Sequence, residues 1–217
     1  DGNEMPYGQI IKNSDAKSCW DEVLSKYDIE KIRNEVNAFN AKNDLVKKGM
    51  ALMPVCFGIS FTNTMMNHAR ALVHVYSHGS VGVSTGAVEM GQGVNSKMIQ
   101  VAAKTLGVST DKIKQETTNT TRVANTSPSA ASSTADLNGK ALLHACNQIN
   151  ERLHAFIKTE IASNTECIVE IKDERVYIND EATVYNWKNL IQQVFIKRIN
   201  LSAKGHYATP VIHFDKT

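Results

Sequence analysis

The 217-residue sequence lacks any apolar run of the roughly 18 residues that a membrane-spanning helix needs, so no segment is expected to cross a bilayer as a helix. It lacks charge of one sign: 24 Lys and Arg stand against 22 Asp and Glu, a net charge of +2. Phosphate-backbone binding relies on clustered cations, so no nucleic-acid partner is expected. Close cysteine spacing is missing too. Cys19, Cys56, Cys146 and Cys167 form no C-x-x-C pair of the kind zinc and iron–sulfur sites use. They read instead as reduced, buried thiols, which point to a cytoplasmic chain. The one H-x-x-x-H string, His74 to His78, and the one G-x-S-x-G string, Gly82 to Gly86, fall on the predicted hairpin rather than on the helix or strand-to-helix elbow that such chemistry needs, and no phosphate-binding P-loop is present. Asp1 stands where an initiator Met would, and no signal-peptide pattern follows, which reads as a processed chain or a piece of a longer one. Hydrophobic residues at 42% and charged residues at 21% argue against wholesale disorder.

What is present divides by period. Residues 1–46 read as a helical arm. Ser14 or Asp15 caps a helix bearing Trp20, Val23, Leu24 and Tyr27, and Asp28 caps a second with Ile29, Ile32, Val36 and Phe39 on one face. That stripe reads as core. From residue 47 the apolar period shortens to two. The pattern predicts strands over 52–61, 71–76 and 81–84, the last two joined by a hairpin turn at 77–80. It then predicts a helix over 94–106 stopped by Gly107, a polar strand at 113–117, and a long helix over 130–161 with His144 among its inward positions. A hairpin (167–172 and 175–179), a helix over 187–199 and a strand over 205–214 complete the chain. The order implies an α+β domain over 47–217: a mixed β-sheet with helices packed on one face, preceded by the short arm.

Two loops carry chemistry. In the first, 86–93, Gly91 and Gly93 flank Gln92 between a strand and a helix. Glycines permit close backbone approach to a ligand, a helix start offers N–H groups to an anion, and Gln92 can read a heterocycle edge. The alternative is a plain tight turn. Glu89 is either a base or a carboxylate that holds backbone N–H groups. In the second, 117–134, ten of eighteen residues are Ser or Thr, and a helix begins at its end, a second candidate anion cradle. The alternative is a solvated or glycosylated loop, against which the small apolar Ala130, Ala131 and Ala135 argue. Together the loops suit an elongated ligand with a phosphate end and a polar ring.

Several strings carry a resemblance. Phe57-Gly58-Ile59-Ser60-Phe61-Thr62, Ala71-Leu72-Val73-His74-Val75-Tyr76, Glu89-Met90-Gly91-Gln92-Gly93, Asn125-Thr126-Ser127-Pro128-Ser129-Ala130-Ala131-Ser132 and Asp136-Leu137-Asn138-Gly139 follow one another in order. Leu201-Ser202-Ala203, Gly205 and Tyr207, and the arm around Cys19-Trp20, extend the match along the chain. The sequence resembles the molybdopterin-binding portion of the xanthine dehydrogenase family, which includes the xanthine oxidases and aldehyde oxidases.

The resemblance implies a molybdenum–molybdopterin cofactor, in its simple form or elongated as the cytosine dinucleotide. Met90, Gly91, Gln92 and Gly93 would lie at the pterin. Ser129, Ala130, Ala131, Ser132, Ser133 and Thr134 would wrap its phosphate end. It implies hydroxylation of hypoxanthine and xanthine with oxygen from water, electrons passing through iron–sulfur clusters and FAD to NAD. Those centres would sit on other parts, so the partners implied are the rest of the large subunit, iron–sulfur and FAD modules, and a purine substrate, in an oligomer. The family's Gly-Glu-Pro-Pro and Arg-Gly-Phe-Gly strings, which carry its catalytic glutamate and substrate-orienting arginine, are absent. No catalytic or metal-ligating residue is therefore assigned within these 217 residues, and the chain alone is expected to be inactive. Ala87, Val88, Ala124 and His68 depart from the family's usual Gly, Thr, Pro and Gln. The alternatives are a slice of an aldehyde oxidase or other azaheterocycle hydroxylase, and a non-catalytic scaffold of the same fold.

Overall fold

Asp28 breaks the chain between its first two helices by capping the second. Its carboxylate accepts from the Lys31 backbone N–H at 2.9 Å, satisfying a donor the helix leaves unpaired. The helices are α1 (Ala16–Lys26) and α2 (Ile29–Lys42). The computed structural model describes residues 2–4, 10–55, 61–130 and 132–210. The chain falls into two compact units, Asp1–Gly58 with His213–Thr217, and Ile59–Ile212.

In the first unit α2 turns back through Asn40, whose side-chain amide accepts from Lys48 N and donates to Lys48 O at 2.8 and 2.9 Å. The stripe expected to be core is not: neither helix buries a residue, and Leu24 and Tyr27 are 44% and 52% exposed. Residues 52–55, the first part of the expected strand 52–61, have no regular structure, and 56–60 lie outside the described residues.

The second unit holds β1 (His68–Val75), β2 (Val81–Thr85), α3 (Val94–Leu106), β3 (Ile113–Gln115) and α4 (Ser133–Phe156). It continues with β4 (Val169–Lys172), β5 (Arg175–Ile178), β6 (Glu181–Asn186), α5 (Trp187–Ile196) and β7 (Ser202–Ala208). A mixed sheet runs in the order β3-β2-β1-β7. β1 is antiparallel to β2 and β7, while β2 is parallel to β3. Alternation along β1 turns Ala69, Ala71, Val73 and Val75 into the core, where α4 packs on β1 and β7, and α3 on α4. Leu137, Ala141, Ala145, Ile149 and Leu153 recur at helical spacing along α4 and are buried. Each large side chain among them adds about 1.5–3 kcal/mol by leaving water.

Gly205 lets α4 come down on β7: a Cβ there would fall 1.8 Å from the Ala141 carbonyl oxygen. Side chains of α4 then seal the edge of that strand. His144 Nδ1 donates to His206 O at 2.7 Å and Gln148 Nε2 to Lys204 O at 2.9 Å. Arg152 donates to Ser202 O at 2.9 Å and Asn200 O at 2.5 Å. Four helical residues advance about 6 Å and two strand residues about 6.6 Å, so the spacings nearly match. Such coverage keeps an edge strand from pairing further. His144, expected inward, is therefore exposed and works at the strand edge.

β4 and β5, the hairpin expected from the sequence, form with the unforeseen β6 a separate antiparallel sheet, whose turns at Asp173-Glu174 and Asn179-Asp180 put all four residues at positive φ. Ile171 and Val176 carry it onto the common core, with Trp187, Leu190, Ile191 and Val194 of α5. Trp187 Nε1 donates to Gly79 O at 2.7 Å, tying α5 to the β1–β2 turn. The thiols divide: burial pushes the Cys146 thiol up to about 12, Cys167 is buried, and Cys19 is exposed, contrary to expectation. Cys56 lies outside the described residues.

Candidate functional site

Strand β2 delivers the chain, fully buried as far as Ala87, into an exposed loop that ends at α3. The loop organises itself around Glu89. One carboxylate oxygen accepts from Gly91 N and Gly93 N at 3.0 and 2.9 Å, and the other accepts from Asn95 N at 3.0 Å. These donors, Asn95 foremost and then Gly93, hold the Glu89 carboxyl below its ordinary value. Of the two roles the sequence left open, Glu89 therefore performs the structural one. It also fills the N-terminus of α3, which the sequence suggested would be free for an anion.

Gln92 folds back in the same way. Its Oε1 accepts from Met90 N at 2.6 Å and its Nε2 donates to Val88 O at 2.8 Å. Gly91 and Gly93 adopt φ of 100° and 75°, and Met90, at 65% exposure, forms the outer surface.

The depressed pKa has a sign. Stabilisation by the Glu89 carboxylate is present in full above the ordinary glutamate range and is lost as pH falls through the depressed folded-state value. Acidification is thus expected to speed amide exchange at Gly91, Gly93 and Asn95 relative to the middle of α3. Glu89→Gln should reproduce that exchange at neutral pH. Unchanged protection in the variant would show that the loop holds without the charge.

The second loop lies against the first. Val88 N donates to Ser129 Oγ at 2.8 Å, and Thr118 Oγ1 donates to Ala87 O at 2.8 Å. Gly86 faces Thr126 so closely that a Cβ would stand 2.3 Å from Thr126 Cγ2. Two segments about forty residues apart are thus joined by contacts that only their shared position beyond β2 makes possible. Ser129 and Ala130 are half-buried and Ser132 is exposed, while Ala131 lies outside the described residues. The Ser133 hydroxyl is taken up, donating to Ala130 O at 2.5 Å.

Thr134 differs. Its Oγ1 and the Oδ1 of Asn138 one turn along α4 have no hydrogen-bond partner, on residues only 3% and 4% exposed. Thr126 Oγ1 is also buried and unpartnered. Buried polar atoms are ordinarily satisfied, and each orphan costs about 1–3 kcal/mol. Three of them on the second loop and the first two turns of α4 are atoms a bound polar group would satisfy. The hydroxyl, amide and backbone donors here suit the heteroatoms and phosphate of a pterin. The roles of Thr118 and Thr126 as spacers between the loops were not separable in sequence from eight other Ser and Thr residues in the run.

The family model for the molybdopterin cofactor-binding domain matches residues 22–217. Xanthine dehydrogenase/oxidase of Mus musculus is 36% identical over 210 residues, 97% of this chain and 14% of that protein. Xanthine dehydrogenase of Dictyostelium discoideum is 38% identical over 208 residues, 96% of this chain and 14% of that protein. The chain therefore spans about a seventh of the curated relatives it matches. Quinoline 2-oxidoreductase from Pseudomonas putida 86 shares the fold with a TM-score of 0.75 at 16% identity. That match covers 97% of this chain and 28% of the other. With the two loops joined beyond β2 and a match over nearly the whole length, the chain belongs to the molybdopterin cofactor-binding domain family.

Proposed function

We propose that this chain supplies two cofactor-holding loops of a molybdenum-dependent xanthine dehydrogenase. The orphaned hydroxyl of Thr134 and amide oxygen of Asn138, beside a loop tied to its partner by Val88 N and Ser129, carry this reading. Met90, Gly91, Gln92 and Gly93 meet the pterin. Gln92 does so by exchanging its bonds to Met90 N and Val88 O for the ring edge. The segment 129–134 receives the phosphate end through Ser129, Ser132 and Thr134 and through backbone N–H groups, with Ala130 and Ala131 small enough for close approach. Glu89 holds the first loop in shape and takes no part in proton transfer.

The bound cofactor supplies the redox centre. Residues of this chain bind it, orient it and exclude water. Hydroxylation of hypoxanthine and xanthine with water-derived oxygen, and electron flow through iron–sulfur clusters and FAD to NAD, then rest with other parts of the longer protein. Identities of 36–38% to xanthine dehydrogenases across 96–99% of this chain support the purine assignment.

Metal and phosphate analysis of the longer native protein tests the proposal. About one molybdenum per chain is expected, with phosphate at one equivalent for the simple pterin or two for a cytosine dinucleotide. A molybdenum content near zero in protein that is folded and expressed with cofactor supply would overturn it.

A further inference from the structure

The face of the mixed sheet turned away from α4 carries a different chemistry. Alternation brings His68 and Arg70 of β1 out on that face, and Lys204, His206 and Ala208 of β7 beside them. The register sets Arg70 directly opposite His206, and His68 opposite Ala208. The small residue at 208 leaves the space in front of His68 unfilled, and the His68 and His206 rings lie 5.9 Å apart between centroids, tilted by 50°. These three side chains, with Thr64, Asn125 and Thr209, line a cavity of about 620 Å³.

Three observations bear on what the cavity takes. First, its polar lining can donate and has no carboxylate: among the described residues no Asp or Glu lines it, and Arg70 joins none of their ion pairs. Second, His68 lines the inner end of the cavity, and its Nδ1 is buried without a hydrogen-bond partner. Third, the inner end is rigid. Asn67 beside it accepts from Phe61 N and donates to Phe61 O at 2.8 and 2.6 Å, and Ser127 N donates to His68 O at 3.4 Å.

The geometry points to an oxyanion-binding site at the ends of β1 and β7, with His68, Arg70 and His206 as donors and a small organic phosphate or carboxylate as ligand. Two imidazoles about 6 Å apart can each place an N–H about 2.8 Å from oxygens of one group between them. The guanidinium supplies the planar two-point contact that phosphates and carboxylates share. The volume is in the range of about 300–1,000 Å³ typical for small-molecule sites and exceeds what a bare oxyanion fills, so the anion arrives on an organic body. This site borders the second loop at Asn125, but its donors lie on β1 and β7, and it does not depend on the cofactor assignment.

Calorimetric titration of the full 217-residue chain with inorganic phosphate, phenyl phosphate and benzoate tests it, alongside imidazole NMR. Saturable 1:1 binding of phenyl phosphate or benzoate is expected, with shifts in the His68 and His206 ring signals. Whichever of the two binds more tightly identifies the phosphate or the carboxylate source. Arg70→Gln should weaken that binding by about tenfold or more, and Arg70→Lys by less, because charge survives without the fork. Lys204→Gln, on the same face but outside the cavity, should bind as the unaltered chain does. Since Arg70 and His206 are exposed, their replacement is expected to leave the fold intact, which the NMR spectrum of each variant checks. Absence of saturable binding by either organic anion overturns the proposal. So does binding that Arg70→Gln and His206→Gln both leave unchanged, or an anion bound without movement of either ring signal.

Discussion

Gly86→Val is expected to lower the molybdenum content of the longer native protein by about tenfold or more while leaving its helical circular dichroism in place. A Cβ at 86 would stand 2.3 Å from Thr126 Cγ2 and 2.7 Å from its Oγ1, well inside van der Waals contact. Threonine is too short to swing clear, so the second loop must move as backbone by about 1 Å, the kind of displacement that costs about a hundredfold where geometry matters. The movement strains the Val88–Ser129 and Thr118–Ala87 bonds, each worth about 1 kcal/mol, on top of about 1–3 kcal/mol of overpacking. Pairing Gly86→Ala with Thr126→Gly should recover part of the loading, because the space returns although the Thr126 hydroxyl is lost. If Gly86→Val loads with molybdenum normally, the two loops do not act as one cradle.

Gly205→Val is the larger blow to the fold. The added Cβ would lie 1.8 Å from Ala141 O and 2.9 Å from Ala145 N, both backbone atoms of α4 that cannot rotate away. The helix must lift from β7, which exposes the core around Ala141, Ala145 and Ile149 and breaks the bonds of His144, Gln148 and Arg152 to the strand. A loss above about 4 kcal/mol is expected, at the extreme of single substitutions. It would be read as a collapse of the urea midpoint or as failure to fold. Lys204→Val, one residue away and exposed, should change stability by less than about 0.5 kcal/mol. Equal effects of the two would mean that helix and strand are not in the intimate contact described.

Much of the fold was legible where one period ran long enough to be unambiguous. The β1–β2 hairpin, the stop of α3 at Gly107 and the inward stripe of α4 follow from alternation, a glycine C-cap and helical spacing. β6 was not foreseen, although Thr183, Val184 and Tyr185 are strand formers and Asn179-Asp180 is a turn pair. The strand buries no residue, and Val184 at 90% exposure hides the alternation that a buried face would print. His144 misled for a physical reason: its position falls beside the apolar stripe, yet its ring is held by a strand carbonyl that no local pattern announces.

At the site, Glu89-Met90-Gly91-Gln92-Gly93 and the Ser/Thr run were visible as strings. The use to which Glu89 and Gln92 are put was not, because backbone capping depends on dihedrals at Gly91 and Gly93. The mutual contact of the loops depends on β2 and α4 sharing one end of the unit, which is a property of topology.

The bonds from α4 to the β7 edge also index the cradle. His144 lies eleven residues beyond Ser133, so its bond to His206 sets the first turn of α4 from about 16 Å away. One residue inserted between Thr134 and His144 would advance Thr134 by about 1.5 Å and rotate it by about 100°, carrying its hydroxyl off the second loop while the lower helix stayed in register. The length of this stretch, more than its composition, is what this segment of α4 has to keep.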